Sequence, residues 1–185
     1  MSRLISIASP DAASAPVTFD TPLAMLAECH RRVEDQCATL QRLRPHLATH
    51  GPDRAAAEAA TAVLRYFDLA GPKHHADEEA DLFPALLASM AGSDAVCLRE
   101  LTDGLKADHR RFEQLWTGLR AALTEIAAGR PAALDATAVE AFCALYAQHI
   151  AREETELLPM AERLIDPAVL AEIGRAMRRR RGAPD

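Results

Sequence analysis

Aromatic residues are scarce, at 4% of 185 positions, and β-branched residues are few, whereas alanine and leucine abound. Sheets draw on aromatic and β-branched side chains, while alanine and leucine lose little on entering a helix. The shortage therefore argues for an all-α chain. Long apolar runs are also missing. The only one near the N-terminus, Leu4–Ala8, ends at Pro10 and Asp11, which is too short for a signal h-region, and nothing later approaches a membrane span. We expect no membrane partner and a cytoplasmic protein. The four cysteines (Cys29, Cys37, Cys97 and Cys143) lie far apart without a CxxC pair, which excludes a cysteine zinc site or a disulfide framework. They read as reduced core thiols. Positive charge is in deficit: the formal net charge is −6, so no nucleic-acid partner is expected. The one basic run, Arg178–Arg181, is accounted for as cations that offset the dipole in a last helical turn.

What is present is helical periodicity in a chain of single-domain length. Residues 1–20 carry no period and read as an irregular arm, leaving 21–185 as the domain. Thr21-Pro22 predicts a helix start, a capping hydroxyl followed by proline at the first helical position. Leu23, Leu26, His30, Val33, Cys37 and Leu40 then recur at spacings of three and four, one inward stripe interrupted by a histidine. A second helix runs from about Asp53 towards Met90, with Gly71-Pro72 expected to kink or split it and Pro84 to bend it. A third starts at Gly92-Ser93, carries Leu105, His109, Phe112 and Trp116, and stops at Gly129 and Pro131. A fourth spans roughly Leu134 to Ile165, and Asp166-Pro167 opens a short fifth. Short connections imply antiparallel neighbours, hence an up-down four-helix bundle with a short C-terminal fifth helix.

The chain also repeats itself. His74-His75-Ala76-Asp77-Glu78-Glu79 and His149-Ile150-Ala151-Arg152-Glu153-Glu154 both read HxxxEE, and each continues to a leucine and a proline (Leu82, Pro84; Leu157, Pro159). Upstream, His30-Arg31-Arg32 pairs with His109-Arg110-Arg111. Each half is then one helical hairpin, and two hairpins related by a pseudo-twofold make the bundle. Residues four apart on a helix share a face, with Cβ atoms about 6 Å apart, so HxxxE aims an imidazole and a carboxylate at one volume. The partner hairpin supplies a matching set. Imidazole suits iron, zinc, copper or manganese, and carboxylates both bridge ions and lower their charge; bridged pairs sit roughly 3.5–4 Å apart. The candidate metal ligands are His30, His74, Glu78, His109, His149 and Glu153.

A lone histidine on an apolar stripe is more often an ordinary core residue, and Arg31, Arg32, Arg110 or Arg111 could neutralise Glu78 and Glu153 without any metal. Four histidines on four helices, two of them repeating with an acid, favour the metal. His75 with Glu79 has the same spacing as His74 with Glu78, but the second copy carries Ile150 in place of His75, so the shared histidine is His74. His75, Glu79 and Glu154 lie about 100° round the helix and read as supporting or surface groups. His46 and His50, at a helix end, read as solvated. Tyr146, three residues before His149, is either a pocket wall or a core tyrosine.

These motifs, HHADEEADLFP, HIAREETELLP and the histidines in HRR and DHRRF, resemble the hemerythrin-like, or HHE cation-binding, proteins from about Thr21 to Arg181. The resemblance implies two non-haem irons, with zinc or manganese as substitutes, bridged by Glu78, Glu153 and an oxo or hydroxo group. His30 and His74 would complete one iron, His109 and His149 the other. It implies binding or sensing of a small diatomic ligand, oxygen or nitric oxide, or a part in iron and redox stress. Di-iron redox enzymology (peroxide, oxygen or nitric oxide reduction) and iron donation for repair of iron centres use the same ligands and stay open, as does the choice between monomer and homodimer. Two departures matter. Oxygen-carrying hemerythrins place a histidine four residues after the third-helix histidine, where this chain has Glu113, either a ligand to the same iron or a surface charge. The similar iron–sulfur repair proteins carry an N-terminal cysteine segment, and residues 1–20 contain no cysteine.

Overall fold

The computed structural model describes residues 17–90 and 94–184. Most of the expected arm and the helix start at Gly92-Ser93 lie outside the described residues. Everything with regular structure among the described residues is helical, as the composition implies. Helix α1 is Pro22–His50. A second helical run holds α2 (Arg54–Arg65), α3 (Gly71–Asp77) and α4 (Phe83–Ala88), joined by wider π turns at Tyr66–Ala70 and Glu78–Leu82. Helix α5 is Asp94–Ala127. A fourth run holds α6 (Ala136–Arg152), a π turn at Glu153–Leu157 and α7 (Leu158–Leu164). Helix α8 is Pro167–Arg181.

The disturbances expected at Gly71-Pro72 and Pro84 take the form of widened turns. Pro72, Pro84 and Pro159 each stand two residues beyond a π turn. A proline removes one amide donor and crowds the carbonyl four residues back, and each run answers by widening the preceding turn rather than ending. Phe83 N–H then reaches Glu78 O and Leu158 N–H reaches Glu153 O, five residues back. The helices continue through the disturbance, and the widened turns begin at Glu78 and Glu153.

Helix ends follow local chemistry with one exception. Asp53, Asp135 and Asp166 cap their helices by accepting from the backbone of Ala56, Ala138 and Ala168. Gly129, at φ 71°, closes α5 with Gly129 N–H to Ile126 O and Arg130 N–H to Glu125 O, the paired bonds of a left-handed C-terminal cap. Thr21 does not cap α1: its hydroxyl donates instead to Thr18 O at 3.0 Å, while Pro22 takes the first helical position.

Helix α1 packs against α2 and α6, and α5 packs against the same two, so four runs enclose one interior. Two apolar clusters fill it. One contains Val33, Phe67, Phe112, Phe142 and Tyr146; the other contains Leu26, Leu82, Phe83, Leu105 and Leu157. Each run passes from one cluster to the other across a buried histidine: His30, His74, His109 and His149. Helix α8 covers α1 and α3. Of the cysteines, all free, Cys29, Cys37 and Cys143 are buried as expected, while Cys97 is exposed on α5. No helix among the described residues is long and apolar enough to cross a membrane.

Candidate metal centre

Between the two apolar clusters lie six polar side chains that the interior should exclude unless they have partners. His30, Glu78, His149 and Glu153 are each 1% exposed, and His74 and His109 2%. They fall into two four-residue groups, His30–His74–Glu78–Glu153 and Glu78–His109–His149–Glu153, each with its ligating atoms within 4.8 Å of one another. Both carboxylates belong to both groups. The six residues named from the sequence are thus brought together, and Glu78 and Glu153 stand between the two histidine pairs.

All four imidazoles turn Nε2 inwards. His30 Nε2 lies 3.0 Å from Glu153 Oε2, and His149 Nε2 lies 3.3 Å from Glu153 Oε1. His74 Nε2 is 3.2 Å from Glu78 Oε1 and His109 Nε2 is 3.3 Å from Glu78 Oε2. Outwards, His109 Nδ1 donates to Glu79 Oε1 at 2.6 Å and His30 Nδ1 to Glu154 Oε1 at 3.0 Å. A neutral imidazole that donates through Nδ1 presents a bare lone pair at Nε2. With their rings neutral, His30 and His109 therefore aim lone pairs at carboxylate oxygens, and His109 and His149 Nε2 lie only 3.2 Å apart. Both Glu153 oxygens, Glu78 Oε2 and His30 Nε2 are buried without a hydrogen-bond donor. Converging acceptors repel one another unless a cation lies among them, and this donor set fits a metal site.

The crowded groups divide in their affinity for protons. Burial and the Glu153 charge push the Glu78 carboxyl well above its usual range. Burial also works against Glu153, but its contacts with His149 and His30 outweigh it and hold that carboxyl low. Burial pulls His30 down, yet Glu153, Glu78 and Glu154 together raise it to about 9. His74, desolvated and facing the other imidazoles, falls to about 3. Identical ligand types are thus driven apart, the signature of charges crowded in a dry site. The arginines do not relieve it. Arg31 and Arg32 pair with Glu28 at the surface, and Arg110 and Arg111 are exposed.

The supporting groups include some that the repeat flagged and some that it did not. Glu79 and Glu154 each cross to a histidine of the other hairpin, an exchange that follows the pseudo-twofold. His75 stacks on His109 with ring centroids 4.0 Å apart and planes at 10°, and burial drives its imidazole well down. Asp108 stands 3.6 Å from His149 Nδ1 and 3.4 Å from Arg152. Asp77, fully buried beside Glu78, is held by Arg180 and Arg181, with Arg181 Nη1 3.1 Å from its Oδ1. The basic run thus anchors α8 to the segment carrying a central carboxylate, beyond any offset of the dipole. Glu113 does not join either group; it is exposed and lines a cavity of about 140 Å³ with His75, Phe112, Trp116 and Tyr146. Tyr146, itself buried, stacks on Phe112 at 3.6 Å. His46, bonded to Asp53 at 2.9 Å and stacked on His50, stays at the helix end as expected.

A family model, the hemerythrin HHE cation binding domain, matches residues 21–161, the span that carries all six inward-facing side chains. The chain belongs to the hemerythrin HHE family. It is also similar to an uncharacterized protein of Haemophilus influenzae, 32% identical over 164 residues, 89% of this chain and 92% of that one. For an HHE domain the two histidine–carboxylate hairpins are the expected cation-binding elements, and here their side chains converge.

Proposed function

We propose that the chain is a cytoplasmic non-haem di-iron protein that binds or senses a small diatomic molecule, oxygen or nitric oxide. The order of apolar clusters along the four runs supports an antiparallel up-down four-helix bundle, with α8 as a fifth helix closing one side. The observation that carries the reading is the sharing of Glu78 and Glu153 by two histidine pairs. His30 and His74 would hold one iron and His109 and His149 the other, with both carboxylates bridging. Zinc or manganese fits the same donors, and iron is favoured by the family. Bound iron would supply an electron-rich centre able to coordinate the diatomic ligand.

The protein's own contribution is orientation and an apolar wall. Glu79 and Glu154 fix the tautomer of His109 and His30, so that Nε2 stays a ligand and cannot rotate away. Phe112 and Tyr146 form an apolar wall beside His109 and His149, with room for a diatomic molecule in the 140 Å³ cavity. His75 fills the space between that cavity and His109. The apolar side of the cavity suits a neutral diatomic, and the Glu113 carboxylate at its exposed edge disfavours an anionic oxidant.

Optical spectra of iron-loaded protein, with and without oxygen and nitric oxide, test the proposal. It predicts stoichiometric adducts that are reversed when the gas is removed. Unchanged spectra, or continuous consumption of the gas with a reductant, would replace the sensor by a structural or an enzymatic reading.

A further inference from the structure

Lined by none of the six metal-site residues, though by Cys29 and Lys73 next to His30 and His74 in the chain, an open cavity of about 500 Å³ lies among α1, the second helical run and the end of α8, within the range of small-molecule sites. Four cationic side chains line it, Arg32, Arg65, Lys73 and Arg181, and no acidic side chain does. That concentration stands out in a chain with 27 acidic and 21 basic residues. The cations are unequally matched. Arg32 lies 3.5 Å from Glu28, and Arg181 is held by Asp77. Arg65 and Lys73 have no carboxylate within 4.0 Å among the described residues. The remaining wall is apolar or neutral: Tyr66, whose hydroxyl is committed to Cys29 O at 3.0 Å, and Leu69, a large hydrophobic left 60% exposed at the rim.

A cleft lined by one sign of charge focuses its field and draws counter-ions into it. Two unmatched cations call for two negative charges, which one phosphate monoester carries near neutral pH and one carboxylate does not. Guanidinium forks suit its oxygens, and Leu69 with the Tyr66 ring offers a surface for an apolar body. We propose that this cavity binds a small organic phosphate, its phosphoryl group among Arg65, Lys73, Arg32 and Arg181 and its apolar part against Leu69. None of the six metal-site residues lines the cavity, and the proposal stands whether or not iron is the metal.

Calorimetric titration of the full-length protein with phenyl phosphate, and in parallel with benzoate, tests this. The proposal predicts saturable binding of phenyl phosphate and a weaker response to benzoate. The double variant Arg65→Gln/Lys73→Gln should lose at least about tenfold in affinity for phenyl phosphate, whereas Arg130→Gln, a surface arginine paired with Glu125, should not. Metal content is measured on each protein, because phosphate also coordinates metals. No saturable binding to the parent protein, equal binding of benzoate, or affinity retained in the double variant at unchanged metal content would each overturn the proposal.

Discussion

Glu79, on the second helical run, accepts a 2.6 Å hydrogen bond from Nδ1 of His109 on α5, thirty residues along the chain. Glu154 on the fourth run does the same for His30 on α1, at 3.0 Å. The second glutamate of each HxxxEE motif thus steadies a histidine of the opposite hairpin while the first turns inward. The two hairpins are interlocked by their supporting groups as well as by the pair of central carboxylates.

From this interlock, Glu79→Ala and Glu154→Ala should each weaken metal binding by about 10–100-fold without unfolding the chain, the usual effect of removing a carboxylate behind a ligating histidine. Competition against a chelator of known affinity measures it. Affinity equal to that of the parent protein would show that the carboxylates are surface charges only.

The contact between Asp77 and the two arginines of α8 predicts a stability effect. Asp77 is fully buried, so Arg180→Ala/Arg181→Ala leaves a carboxylate without its counter-charges, at a cost of about 3–5 kcal/mol. Thermal or denaturant unfolding should show a large loss. A midpoint unchanged from the parent protein would mean that α8 is only lightly docked.

Glu113 supplies a test in the opposite direction. It lines the small cavity but does not converge with either ligand group, so Glu113→Ala should keep the parent metal content, while Glu78→Ala and Glu153→Ala should lose most of it. Loss of metal in Glu113→Ala would make this glutamate a ligand in place of the histidine found in oxygen carriers.

Much of the site was legible in the sequence because its geometry is local and repeated. A spacing of four residues puts His74 with Glu78 and His149 with Glu153 on one face whatever the rest of the fold does, and the missing counterpart of His75 at Ile150 resolved the register. The unanticipated parts depend on distant packing or on competition between local bonds. Asp77 meets Arg180 and Arg181 more than a hundred residues away, and neither copy of the repeat carries such a pair. Asp108 on α5 approaches His149 on the neighbouring α6. Gly71-Pro72 and Pro84 announced a disturbance, but its form, a widened turn, depends on how the backbone bonds rearrange, and Pro159 brings a third such turn into a run expected to be regular. Thr21 had the residue type of a cap, and the turn from Thr18 took its hydroxyl instead.

The central claim, that Glu78 and Glu153 are shared between two metal ions, is tested most directly by metal stoichiometry. Untagged protein purified from iron-replete cells is analysed by inductively coupled plasma mass spectrometry against a protein concentration from amino-acid analysis. The account predicts about two irons per chain, and loss of both sites in Glu153→Ala. Fewer than about one metal per chain in the parent protein would contradict it.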